Sequence, residues 1–186
     1  MKQLMDRGLY YFSAIALLCV CISGCGYSSS ALLASGLDSV HVDNFVNGIN
    51  PTREISDRRN SYSYRPALEN DITRAVINGF IFNRHLELQT KDNAALRLEG
   101  TLVDFRQYPL TYSDDYNIEE FRMEVFVDVS LYNNKTGELM WEEKSFMGET
   151  NYYVAGPNRI TESQAEKRVV QDLALRIVER TVETWQ

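Results

Sequence analysis

Phe121-Arg122-Met123-Glu124-Val125-Phe126-Val127-Asp128-Val129-Ser130-Leu131 is the stretch on which the fold turns. Phe121, Met123, Val125, Val127, Val129 and Leu131 alternate with Arg122, Glu124, Asp128 and Ser130. Period-two alternation of this length is the signature of a strand with one face buried and one face wet, the habit of antiparallel sheets. Downstream, Asn133-Asn134-Lys135-Thr136-Gly137-Glu138 supplies a tight hairpin in which Gly137 can take positive φ. The returning strand carries Leu139 and Trp141 and continues to about Tyr153. Upstream, Leu96, Leu98, Gly100 and Leu102 alternate with Arg97, Glu99 and Thr101. The phase blurs between Phe105 and Tyr108, where a bulge would reconcile the two, and after Pro109 the chain turns at Ser113-Asp114-Asp115.

Two helical stripes flank these strands. From Arg65 and Pro66, the residues Leu68, Ile72, Ala75, Val76, Gly79 and Phe80 recur at helical spacing to about Asn83. Thr161 followed by Gln164 forms a capping box, and Val170, Leu173, Ala174, Ile177, Val178, Val182 and Trp185 then share one face. A short strand is expected at Leu86–Gln89 and a first strand at Ser39–Val46, with Phe45 and Val46 out of phase with Val40 and Val42. Between that strand and the first helix lies a long loop, Asn47–Ser63. The expected fold class is α+β: a two-layer sandwich whose mostly antiparallel four-stranded sheet is covered on one face by two helices.

The N-terminus sets the compartment. Lys2 and Arg7 precede an apolar run from Leu9 to Ile22, too short to span a bilayer comfortably and ending in small residues. Ile22-Ser23-Gly24-Cys25 resembles the lipobox of bacterial lipoproteins, in which small residues admit a peptidase and the cysteine thiol accepts lipid. The expected organisation is a signal peptide over 1–24, a lipidated tether over 25–37 and a single domain over 38–186. Cys19 and Cys21 leave with the signal, so neither a disulfide nor a cysteine metal site is expected in the mature chain. Removing Lys2, Arg7 and Asp6 takes the net charge from −7 to −8, which gives the domain no electrostatic claim on nucleic acid. Gly26 in place of aspartate after Cys25 points to the outer membrane. A tether from Gly26 to Leu37 reaches roughly 40 Å when extended, at about 3.3 Å per residue, so the domain is expected to work close to its own membrane.

Residues suited to catalysis are sparse. The two histidines, His41 and His85, are too few for a metal cluster or a histidine-assisted nucleophile. No serine sits in a Gly-x-Ser-x-Gly elbow. Asp114-Asp115 and Glu119-Glu120 lack the alternating oxygen ligands of a calcium loop. The tyrosines and Trp141 read chiefly as core and strand residues. The chain is expected to be neither an enzyme nor a cofactor carrier. One feature stands apart: Arg53, Arg58, Arg59 and Arg65 gather in the long loop with Tyr62 and Tyr64 interleaved. Guanidinium groups pair bidentately with phosphate and carboxylate, which suits an anionic partner or a phosphorylated lipid.

Taken together, Cys25-Gly26-Tyr27, the strand Leu98-Glu99-Gly100-Thr101-Leu102, Phe121-Arg122-Met123 opening a valine-rich strand, and Lys135-Thr136-Gly137-Glu138-Leu139-Met140-Trp141 resemble the LptE-type lipopolysaccharide-assembly lipoproteins across the mature chain. That resemblance implies a two-layer α/β domain seated as a plug in the LptD outer-membrane β-barrel, helping to place lipopolysaccharide in the outer leaflet. It also implies glycolipid contacts from basic residues at the tip between the two long strands and just before the last helix. Here the tip reads Ser113-Asp114-Asp115, acidic where the family's is basic, while Arg159 stands before the last helix. Arg53, Arg58, Arg59 and Arg159 are therefore the expected glycolipid or partner contacts. A second resemblance, to periplasmic activator lipoproteins of the LpoB type, rests on the same Thr-Gly-Glu-x-x-Trp hairpin and strand-helix order. Those proteins stimulate cell-wall synthases from the end of a long tether, which this sequence lacks.

Overall fold

The computed structural model describes residues 36–49 and 66–183. Cys25 and the arginines Arg53, Arg58, Arg59 and Arg65 lie outside the described residues, as does Trp185. The elements run β1 (Ser39–Val42), β2 (Val46–Asn47), α1 (Leu68–Asn83), β3 (Glu87–Leu88), β4 (Leu96–Tyr112), β5 (Ile118–Asn133), β6 (Leu139–Tyr153) and α2 (Glu162–Glu183). All the described residues fall in one compact unit.

The α+β class holds, but the sheet is six-stranded and mixed rather than four-stranded and mostly antiparallel. Its order is β3-β1-β4-β5-β6, with β2 also pairing to β4. β1 runs parallel to both β3 and β4, with Val40 opposite Leu88 on one side and Leu96 on the other. Parallel neighbours require a crossover, and α1 supplies it. The first strand also divides. Val40, Val42 and Phe45 are all buried, and a strict pleat cannot bury both Val42 and Phe45. The chain slips at Asp43–Phe45, with Asp43 N–H donating to the Leu98 carbonyl, and resumes as β2 opposite Thr101 and Leu102.

The slip brings Phe45 across β4 at Gly100. A Cβ on residue 100 would lie 2.1 Å from Phe45 Cε1, so the absent side chain is what admits the ring. Phe45 is held from the other side as well: its N–H donates to Thr73 Oγ1 at 2.9 Å, and that hydroxyl donates to the Glu69 carbonyl at 2.8 Å. Sheet and α1 are thereby joined through one aromatic residue.

β4 and β5 pair antiparallel along their lengths. Met123, Val125, Val127, Val129 and Leu131 are fully buried, as the alternation predicts. The bulge falls between Leu102 and Asp104, ahead of the predicted Phe105–Tyr108, and returns Phe105 to the core face. Glu124 is buried despite its polar parity, because Tyr108 and its cross-strand neighbours cover it on the helix-free face. A second bulge, in β6, sets Lys144 and Ser145 against the single residue Asp128 of β5. Ser145 takes φ 54° there, and its N–H donates to Asp128 Oδ1 at 2.8 Å.

Both helices return from strands that run the same way, so they lie on one face pointing in the same direction. The turn Pro66-Ala67 precedes α1, with Ala67 in the left-handed region (φ 68°) and no side-chain cap. α2 carries the predicted capping box. Thr161 N–H donates to Gln164 Oε1 at 2.8 Å, and Gln164 N–H donates to Thr161 Oγ1 at 3.3 Å. Gly148 allows α2 onto the sheet, since a Cβ there would meet Leu173 Cβ at 2.5 Å. α2 also reaches β6 through Glu149 N–H to Asp172 and through the Arg180–Glu143 ion pair at 2.6 Å.

Candidate functional site: the distal end of the sheet

β4 and β5 close in a turn where Ser113 N–H donates to the Asn117 carbonyl at 2.8 Å and Tyr116 N–H to the Ser113 carbonyl at 2.9 Å. Tyr116 sits in the left-handed region (φ 59°), which throws its ring outward, 89% exposed. β6 arrives at the same end. Val154 N–H donates to the Glu119 carbonyl, and the chain doubles back so that Ile160 N–H donates to the Tyr153 carbonyl. The isolated bridge between Tyr153 and Arg159 then leads into the cap of α2.

Three separate segments therefore converge here. Tyr112 and Tyr116 come from the β4–β5 turn, Tyr153 and Val154 from the end of β6, and Arg159 from the loop before α2; all five are exposed. Among the described residues Arg159 makes no ion pair. Asp114 and Asp115 are exposed in the β4–β5 turn, so this end carries acids as well as a cation. Of the four arginines singled out by sequence, the structure places Arg159 at this end; Arg53, Arg58 and Arg59 lie outside the described residues.

The helix-free face below this end is built from paired charges and rings. Arg122 Nε donates to Asn151 Oδ1 at 3.0 Å and its guanidinium lies 3.6 Å from Glu149. Arg106 stacks over Phe126 at 4.5 Å and pairs with Asp104 at 2.7 Å, while Arg97 stacks over Tyr132 at 5.1 Å. Tyr108 donates its hydroxyl to Glu124 Oε1 at 2.5 Å. Burial raises the Tyr108 pKa above the ordinary tyrosine value; the Glu124 carboxylate adds to the rise and Arg122 opposes it. These arginines are spoken for by neighbours, whereas Arg159 makes no ion pair among the described residues.

The exposed tyrosines were missed by sequence reasoning, which assigned the tyrosines chiefly to core and strands. Tyr152 is buried and stacks on Phe121 at 5.8 Å, as that reading expects, but its neighbour Tyr153 points the other way. The available signal was local: Tyr116 lies between Asp115 and Asn117 in a turn, where a ring has nothing to pack on. His41 is engaged with the Gln89 carbonyl at 3.1 Å and Asp43 at 3.3 Å, and His85 with Asn83. Among the described residues no group of three or more His, Cys, Asp or Glu side chains is placed to hold a metal ion, and no helix is long and apolar enough to cross a membrane. What converges at the distal end is a contact surface of aromatic rings and a guanidinium.

Similar folds occur among solved structures of low sequence identity. A protein of Chlamydia trachomatis superposes with a TM-score of 0.50 at 9% identity, covering 78% of this chain and 96% of its own. A minor lipoprotein of Acinetobacter baumannii gives 0.46 at 10% identity, with 79% and 94% covered. The rare lipoprotein B of Shewanella oneidensis gives 0.41 at 14%, with 77% and 92% covered. No curated protein sequence matches the chain significantly. The family model described as LptE, lipopolysaccharide-assembly, matches residues 40–183, from the first strand to the last turn of α2. On that match over nearly the whole folded domain, the chain belongs to the LptE family of lipopolysaccharide-assembly proteins.

Proposed function

We propose that the protein is an outer-membrane lipoprotein that seats in a large β-barrel of the LptD type and helps deliver lipopolysaccharide to the outer leaflet. The observation that carries this reading is the family match over residues 40–183. In this scheme residues 1–24 are removed, Cys25 holds the lipid, and the tether to residue 37 keeps the domain within reach of its membrane. The lumens of large barrels are polar. A domain whose helix-free face carries paired charges and stacked arginines suits such a wall, because those charges bring their partners with them.

The distal end is the assigned glycolipid contact. Tyr112, Tyr116, Tyr153 and Val154 offer apolar surface to acyl chains or sugar rings, and Arg159 offers bidentate bonds to a phosphate. The acids of the turn disfavour phosphate there, so the anionic part of the ligand is assigned to Arg159 and to Arg53, Arg58 and Arg59.

The test is affinity purification of the tagged lipoprotein from detergent-solubilised envelopes, with mass spectrometry of what accompanies it. A large outer-membrane β-barrel is expected, in a contact burying well over about 1,000 Å² and so stable to mild detergent. Recovery of a cell-wall synthase without a barrel would replace this reading with that of an activator lipoprotein. Changing Arg53, Arg58 and Arg59 together to Ser, or Arg159 alone, should weaken glycolipid photolabelling while thermal melting stays unchanged.

A further inference from the structure

β1 begins, β4 begins and the β5–β6 hairpin turns at one end of the sheet, since Val40 lies opposite Leu96, Leu96 opposite Asn133 and Leu139 opposite Tyr132. Both helices finish at this end too. α1 runs back to feed β3, whose Glu87 lies opposite Ser39, and α2 closes with Arg180 paired to Glu143 near the start of β6. The distal end is about 50 Å away, at about 3.3 Å for each of the 16 residues of β5. The last turn of α1 is bare. Phe82 is 84% exposed and its neighbour Ile81 54%, and neither has a polar atom to offer water. Phe82 continues into the groove between the helices, whose lining near it is Gly79, Ala174, Leu175 and Val178, while Asp71, Arg74, Glu166 and Lys167 line the groove toward the distal end. Exposed apolar side chains scattered singly need no explanation; a contiguous set at one end of a groove does.

The path of the chain says what this end meets. The chain enters β1 here, and the Asp38 carbonyl accepts from the N–H of Glu87, five residues past Phe82, at 2.9 Å. With lipid on Cys25, the 12 residues Gly26–Leu37 are all that separate the anchor from this end of the domain. A flexible chain of that length spans roughly 20 Å on average, at about 5–6 Å times the square root of the residue number. The distal end lies more than twice as far again. Held so close, a contact too weak to form between separate molecules becomes intramolecular, at an effective concentration that is roughly millimolar. Charge narrows the kind of lipid. Asp38, Asp92, Glu138, Glu179 and Glu183 are exposed toward this end, against Arg84, Lys135 and a Lys91 already paired with Asp43. An anionic surface gains nothing from that balance, whereas a zwitterionic headgroup brings its own ammonium to the acids.

We propose that the last turn of α1 rests on the leaflet that holds the Cys25 lipid, with Ile81 and Phe82 set among zwitterionic headgroups and the first carbons of their acyl chains. The contact orients the domain, with its C-terminal helix ends on the surface and the distal end held away from it. The inference rests on the lipid anchor proposed above and not on the barrel: it concerns the lipoprotein on a membrane, outside any barrel.

The experiment places the full lipidated chain, purified from the cells that make it, in phosphatidylcholine vesicles free of other protein, one set carrying bromine on the acyl chains. With Phe82→Trp, the tryptophan emission lost to bromine should exceed that of the parent, whose own Trp141 and Trp185 set the background. Tyr116→Trp, at the distal end, should add no such loss. Thermal melting should stay unchanged in both, because both side chains are exposed. The extra loss at position 82 should persist when salt is raised to about 1 M, where charges are screened beyond about 3 Å. A position 82 left in water, or covered by a second copy, gives no extra loss and overturns the proposal; so does a loss at 116 as large as at 82, or one abolished by salt. Flotation of the same samples separates the two readings. A chain that floats with the vesicles without extra loss at 82 overturns this inference alone, whereas one that does not float overturns the anchor with it.

Discussion

Gly100→Ala is the sharpest probe of how the first strand is locked to the sheet. The new methyl carbon would stand 2.1, 2.4 and 2.4 Å from three ring carbons of Phe45, against the roughly 3.5–4.0 Å at which carbon atoms pack well. Thr73 Oγ1 holds the Phe45 main chain through its N–H, and the ring itself is enclosed in the core at 3% exposure. Either β4 bends away or the ring leaves the core. Overpacking costs about 1–3 kcal/mol, and exposing a buried Phe forfeits a similar amount, so a loss of about 2–3 kcal/mol is expected. For a domain of this size that lowers Tm by roughly 4–12 °C. Chemical denaturation should be run on a double-mutant cycle with Phe45→Ala. Without the ring, the methyl has nothing to strike and fills part of the cavity, so Gly100→Ala should then cost nothing or stabilise slightly. The coupling energy should therefore approach the single-mutant cost. A cost below about 0.5 kcal/mol in the parent, or the same cost in both backgrounds, would refute the argument that an absent side chain positions Phe45.

Other outcomes are open to direct measurement. Val127→Asp buries an unpaired charge at a fully buried mid-strand position and should cost several kcal/mol, a large part of a small domain's stability, in a thermal melt. Asp128→Asn should be nearly silent in the same assay, since the amide oxygen can still accept from Ser145 N–H. The folded state holds the Tyr108 proton more tightly than the unfolded chain does. Its contribution is complete below the ordinary tyrosine pKa of about 10 and is lost as pH rises through the higher folded value. Tyr108→Phe should accordingly flatten the fall in stability above about pH 10, read by denaturation at stepped pH. Cys25→Ala should abolish labelling by a fatty-acid probe and leave the signal attached; labelling that persists would remove the anchor.

Elements whose evidence is local could be read from the residues alone. The alternation from Phe121 to Leu131, the Gly137 hairpin and the Thr161–Gln164 box each depend on neighbours a few positions away, and each appears as expected. The sheet's size and direction could not be read so, because they depend on pairings between distant segments. Nothing in Ser39–Val42 states that its partners are Glu87–Leu88 and Leu96–Leu98, or that it runs parallel to them. The phase conflict at Phe45 was visible, yet its resolution needed Gly100 to come opposite. The same holds for the distal end. Arg159 could be named from its place before the last helix, but its meeting with Tyr112, Tyr116 and Tyr153 depends on how β4, β5 and β6 line up. Glu124 shows the limit from the other side: parity put it in solvent, and cross-strand neighbours buried it.

The interior position of β1, between β3 and β4, has a mechanical consequence. The strand is entered from its N-terminal side and is gripped along both edges, by β3 on one and β4 on the other, with both neighbours running in its own direction. Tension arriving through Asp38 would act along the strand axis, loading both rows of hydrogen bonds in shear and all at once, where an edge strand pulled sideways would open one bond after another. Anchorage through Cys25, as proposed, would therefore fasten the domain as a cable is fastened in a splice, with its attachment set inside the fabric and not at the hem.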